Sequence, residues 1–78
     1  MKAHIEGQFL SAETKVFDGK KTGYVKLLSE DDSIRIKFDS DMLDKFESCQ
    51  NLNRMDNVLI ACSISVYNGE LYYKALRE

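Results

Sequence analysis

The sequence has no proline and only four glycines among its 78 residues. Low-complexity and disordered segments are rich in such residues, so neither class describes this chain. Cysteine is scarce as well. Cys49 and Cys62 stand thirteen positions apart, there is no Cys-x-x-Cys pair, and His4 is the single histidine. That excludes a disulfide framework and a zinc ligand set, and reads as two reduced, buried thiols in a cytoplasmic protein. No apolar run approaches the roughly 18 residues of a membrane span. Met1 to Ala12 already mixes Lys2, His4, Glu6 and Gln8 with the apolar positions, which argues against a signal peptide.

Catalytic constellations are missing too. Ser11, Ser63 and Ser65 alternate with apolar residues and carry none of the local motifs that activate a serine. There is no glycine-rich phosphate loop, and His4 reads as a polar residue on an edge strand. The acidic runs Glu30-Asp31-Asp32 and Asp39-x-Asp41-x-x-Asp44 lack the glycine and the terminal glutamate of a calcium loop. They read as a solvated hairpin tip and a helix start, with repulsion of phosphates as a further role. The chain is therefore expected to be no enzyme, with no metal and no cofactor.

What is present is the composition of one small globular domain, residues 1–78, with 44% hydrophobic and 31% charged residues. This length lies near the lower limit for folding without staples and leaves no room for a deep enclosed site. The net charge is −2, but the charges are segregated. Glu30 to Glu47 holds seven acids and three bases, whereas Lys15 to Lys26 holds four lysines and one acid, Asp18. A local basic face is thus compatible with an acidic total.

Period-two alternation dominates the chain. Ala3 to Phe17 reads as one long strand or two halves, with Ala3, Ile5 and Phe9 on one face and a bulge or bend at Gly7. Leu10 and Ala12 then imply a change of phase. Asp18-Gly19 marks a turn with Lys20 and Lys21 at its tip. Tyr24 to Ser29 is the second strand, placing Val25 and Leu27 opposite Tyr24 and Lys26. After the reversal at Glu30-Asp31-Asp32, Ser33 to Phe38 sets Ile34, Ile36 and Phe38 against Arg35 and Lys37.

At Asp39 the period changes. Ser40 is a candidate N-cap, Asp41 and Asp44 suit a first turn, and Met42, Leu43 and Phe46 have helical spacing, giving one helix over 41–49. With Leu52 these apolar residues read as a cap on an open barrel end. A polar loop follows to Asp56. Asn57 to Tyr67 then aligns Val58, Ile60, Cys62, Ile64 and Val66, the Asn68-Gly69 pair favours a two-residue hairpin, and Glu70 to Arg77 is the last strand. Leu28, Leu59 and Leu76 fall outward by this alternation, through an error of phase or because they face a second copy.

The order β-β-β-α-β-β is expected to form an all-β fold: a five-stranded antiparallel OB-type barrel with one short helix. On Asp18-Gly19-Lys20-Lys21-Thr22-Gly23-Tyr24, the acidic hairpin and the closing Val66-Tyr67-Asn68-Gly69-Glu70-Leu71, the chain resembles the small OB-fold single-stranded-DNA-binding proteins of phages, plasmids and mobile elements. The resemblance spans almost the whole chain. It implies single-stranded DNA as ligand, cooperative coating, a place in replication or transfer, and a homodimer.

If Val25, Leu27, Ile34, Ile36 and Phe38 fill the barrel, Tyr24, Lys26, Arg35 and Lys37 share its outer face, where cations meet phosphates and rings meet unstacked bases. Lys15, Phe17, Lys20 and Lys21 extend that candidate patch, and Tyr67 and Tyr72 form a second stacking platform beside Lys74. The plain alternative is a solvated outer face. Single-stranded DNA is the expected partner, RNA a second possibility. A protein-interaction barrel, an adaptor or inhibitor using the acidic helix side, is the rival.

Overall fold

The computed structural model describes residues 1–77; Glu78, the last residue of the expected domain, lies outside the described residues. Five strands and one helix follow in the expected order: β1 (Lys2–Phe17), β2 (Lys20–Ser29), β3 (Asp32–Phe38), a 3-10 turn (Ser40–Met42), α1 (Leu43–Gln50), β4 (Asn57–Tyr67) and β5 (Glu70–Ala75). The strands close into a barrel in the order β1-β2-β3-β5-β4, with β1 pairing β2 at one end and β4 at the other. This is the OB-type barrel. No helix of the described residues is long and apolar enough to cross a membrane.

The barrel is not antiparallel throughout. β3 and β5 run parallel, joined only through Ile36↔Tyr73 and Lys37↔Lys74, while the other four ladders are antiparallel. Directions cannot alternate all the way around a ring of five, so closure forces one parallel pair. It falls where the chain crosses over through α1 and β4.

The three hairpins turn in two residues each, since Phe17 pairs Lys20, Ser29 pairs Asp32 and Tyr67 pairs Glu70. Both central residues of every turn have positive φ, the condition for the twist-matched type I′ turn. Asp18-Gly19 and Asn68-Gly69 satisfy it with a glycine in second place. Glu30-Asp31 does so without one, at φ 49 and 72, and stores some backbone strain there.

The bend in β1 is not at Gly7. The register shifts between Phe9 and Ser11, making Leu10 the extra residue of a bulge, and this bulge produces the change of phase at Ala12. Around it the Phe9 N–H donates to the Asp56 carbonyl (2.8 Å) and the Met55 N–H to the Phe9 carbonyl (2.6 Å), extending the β4 side of the sheet. Gly7 serves another purpose: a Cβ there would stand 2.6 Å from the Leu28 carbonyl oxygen.

The core contains Phe9, Val25, Leu27, Ile36, Phe38, Ile60, Cys62 and Ala75 from the strands, closed at one end by Met42 and Phe46. Leu43 and Leu52 pack against it from outside. Phe46 tilts against Phe38 with ring centroids 5.8 Å apart, a favourable aromatic geometry. It fits because Gly23 leaves its position empty; a Cβ there would run into the Phe46 ring.

The helix starts later than its periodicity implied, and Ser40 does not cap it. Ser40 lies inside the 3-10 turn, entered by the Met42 N–H donating to the Asp39 carbonyl (2.8 Å), and neither that turn nor α1 has a side-chain cap. β5 ends at Ala75 rather than Arg77. After Leu76 donates once more to Ala61, Arg77 turns aside to α1. Its guanidinium contacts both Asp44 carboxylate oxygens (2.9 and 3.2 Å) and the Asp41 carbonyl (2.6 Å). Val66 lies on the core-facing side of β4 yet is 67% exposed, because the β4–β5 hairpin projects beyond the barrel.

Candidate nucleic-acid interface

β2 is bonded on both sides, and that places its outward residues at the centre of a continuous surface. Tyr24 pairs with Glu13 of β1 and Lys37 of β3; Lys26 pairs with Ser11 and Arg35. Lys37 pairs onward with Lys74 of β5, and Lys74 with Ser63 of β4. One transverse row, Glu13–Tyr24–Lys37–Lys74–Ser63, thus girdles the outside of the barrel. The bulge at Leu10 brings Lys15 and Phe17 to the same face, beside Thr22 and Lys20.

Tyr24 is half-buried by neighbours that are cations. The Arg35 guanidinium lies 4.7 Å and the Lys15 ammonium 5.3 Å from its ring centroid, both within cation–π reach. Arg35 also approaches Glu13 (3.8 Å). Asp39, half-buried at the end of β3, accepts from Lys74 (2.7 Å) and lies 3.9 Å from Lys37. Its hydrogen bond raises the pKa of Lys74, which keeps that ammonium charged. On β5, the Tyr72 hydroxyl donates to Glu70 (3.2 Å), and the same contact raises the phenol pKa.

Three concavities open on this face, and Tyr24 lines all of them. The largest, about 680 Å³, lies where β3 and β5 part below their two-residue ladder, between Arg35 and Lys37 on one wall and Tyr72 and Lys74 on the other, with Ser63 and Ser65 beyond. A second, of about 530 Å³, runs from Tyr24 and Lys37 to Phe17, Lys20 and Thr22, with Asp39 and Asp41 at its rim. The third, about 300 Å³, holds Lys26, Arg35, Ser11 and Glu13. They amount to a track across β1, β2, β3 and β5.

Of the residues singled out by alternation, Lys15, Phe17, Lys20, Tyr24, Lys26, Arg35, Lys37, Tyr72 and Lys74 come together here. Lys21 does not: it pairs with Val16 on the opposite face of the β1–β2 hairpin. Tyr67 is outward on β4 but sits at the hairpin tip, 67% exposed and opposite Glu70, outside the three concavities. Lys20 and Lys26 have no ion-pair partner among the described residues.

The residues that sequence reasoning missed are Ser63, Ser65, Glu13 and Asp39. The serines were legible, because alternation in β4 sets them opposite Ile64. The two acids were not, since Arg35 comes to Glu13 and Lys74 to Asp39 from other strands. Across the barrel a smaller apolar concavity of about 270 Å³ lies between α1 and the ends of β4 and β5, beside Leu59 and Leu76. It contains Cys49, whose thiol pKa is raised by burial; burial pushes buried Cys62 up to about 11.

This fold and surface define a small OB-type barrel with a mixed basic and aromatic outer face. No protein-family model matches the chain, and no curated protein matches it significantly.

Proposed function

We propose that this protein binds single-stranded nucleic acid, with a preference for single-stranded DNA and little sequence specificity. The observation that carries the reading is the convergence of three concavities on Tyr24, flanked by Lys15, Lys20, Lys26, Arg35, Lys37 and Lys74. Cations spaced along an open track suit a flexible polyanion, and Tyr24, Tyr72 and Phe17 offer ring faces that accept any base. The net charge of −2 is no obstacle, because the acids of 30–32 and of α1 lie off the track.

Titration of labelled oligo-dT by fluorescence polarisation tests the reading. Binding at low salt that weakens linearly in log salt is expected, and oligo-U in the same assay ranks RNA against DNA. No binding of either at low salt sinks it. The acidic side of the 3-10 turn and α1, with Asp41, Asp44 and Glu47, then becomes the surface to test against a basic protein.

A homodimer is proposed with it. Leu59 is 63%, Val66 67% and Leu71 56% exposed, apolar area that a second copy would cover, and so small a domain gains stability from association. Sedimentation at micromolar concentration should show a species above the 9.0 kDa monomer; a clean monomer removes the dimer and leaves the binding reading intact.

A further inference from the structure

Three cations of the track, Arg35, Lys37 and Lys74, already face carboxylates. Asp39 holds Lys74 at 2.7 Å and approaches Lys37 at 3.9 Å, and Glu13 approaches Arg35 at 3.8 Å. The two carboxylates stand on opposite sides of Tyr24. Glu13 is its direct partner on β1, while Asp39 continues β3 just beyond Lys37. Arg35, held near Glu13, also covers the Tyr24 ring. Each carboxylate thus takes the place beside a cation that a phosphate oxygen would need, and the Glu13–Arg35 pair also occupies the stacking surface.

We propose that Glu13 and Asp39 are built-in phosphate mimics, which a nucleic-acid strand must displace to bind. The inference rests on the nucleic-acid reading of this face and adds to it how affinity is set. Binding is then an exchange of ion pairs and not an addition. A phosphate that takes Lys74 from Asp39 sets free a carboxylate beside the incoming strand. That carboxylate repels the strand or retains a cation, so fewer counterions leave per contact than the count of track cations implies. The three ion pairs are exposed or partly so. Exchange is therefore easy: the carboxylates lower affinity without closing the site.

The test uses Asp39→Asn and Glu13→Gln, near-isosteric changes that remove the charge and keep hydrogen-bonding capacity. Glu47→Gln is the control, the same charge change on an exposed part of α1. Thermal melts first establish that all three variants fold. Oligo-dT titrations at several salt concentrations should then show Asp39→Asn binding about two- to fivefold tighter than the parent, and Glu13→Gln about twofold tighter. Their slopes of log K against log salt should steepen by up to about 0.7 per freed contact. Glu47→Gln should behave like the parent. In a Lys74→Ala background the gain from Asp39→Asn should shrink, since the cation it releases is gone.

If the parent binds and both variants match Glu47→Gln in affinity and slope, the mimic is refuted and the nucleic-acid reading stands. If the parent does not bind at low salt, the nucleic-acid reading falls and the mimic with it, because exposed carboxylates lower affinity and do not close the site.

Discussion

Val25, Leu27, Ile36 and Phe38 on β2 and β3 are at most 2% exposed, while their immediate chain neighbours Tyr24, Lys26, Arg35 and Lys37 face outward. The inner set belongs to one apolar cluster, and no polar side chain is buried among the described residues. In the outer set Tyr24, Arg35 and Lys37 make ion pairs or cation–π contacts that solvent screens. Inner contacts are many and not exchangeable, whereas outer ones are few and readily traded for a ligand's phosphates. The two faces of one hairpin therefore separate stability from binding, and substitutions should separate them too.

The largest effect belongs to the inner face. Phe38→Ala removes a buried ring from against Phe46 and should lower unfolding free energy by about 3–5 kcal/mol in urea melts. Oligo-dT affinity, corrected for the folded fraction, should not change. A direct loss of affinity would break the division between the faces.

Next comes the outer face. Tyr24→Ala should weaken oligo-dT binding by about 1–3 kcal/mol, the usual loss for one base–aromatic stack, with little change in salt slope or melting temperature. Lys26→Ala and Lys37→Ala should instead shallow the salt slope by about 0.7 each, the single-strand value per phosphate contact. Lys21→Ala, on the other side of the hairpin, sharpens the comparison: it should alter the slope less than either. If the three track variants bind like the parent, the outer face is merely solvated.

A smaller effect distinguishes the turns. Asp31→Gly relieves a residue at φ 72 and should raise stability by about 0.5 kcal/mol, part of the left-handed penalty being offset by glycine's greater freedom when unfolded. The same urea melts report it.

The smallest concerns the link between β5 and α1. The Arg77 guanidinium lowers the Asp44 carboxyl pKa from 3.8 to about 2. A depressed folded pKa contributes stability that is fully present above 3.8 and is lost as pH falls through about 2. NMR titration of the Asp44 carboxyl should place its midpoint near 2, and Arg77→Ala should return it toward 3.8. An unshifted midpoint in the parent would mean that Arg77 is not held there.

The strands and their faces were legible in the sequence because side-chain direction in a strand has period two and one face is buried. β4 was readable in full, from Asn57 to Tyr67, and its hairpin from Asn68-Gly69. The bulge was half legible. The change of phase after Leu10 was visible, yet Gly7 drew attention as the weaker residue while its missing Cβ was needed for the Leu28 carbonyl. The helix start was misread because Ser40 has the chemistry of a cap, but the chain enters α1 through a 3-10 turn. For the track, alternation supplied the outward residues of β2 and β3. Lys21 was misplaced because it was read with Lys20 at a turn tip, whereas β2 begins at Lys20 and the two lysines point to opposite faces.

Alternation and turn chemistry, written in neighbouring residues, thus determined by themselves the strands, the hairpins and which side of each strand is wet. The barrel was expected to be antiparallel; closing five strands requires a parallel pair, and only the strand order set it between β3 and β5. Only the tertiary structure decided what lies across each strand from what: Glu13 near Arg35, Asp39 on Lys74, and Arg77 on Asp44. Those pairings join residues from different elements, and their geometry follows from barrel closure, strand register and a bulge. A charge's partner depends on distance in space, and no local pattern of residues encodes that distance.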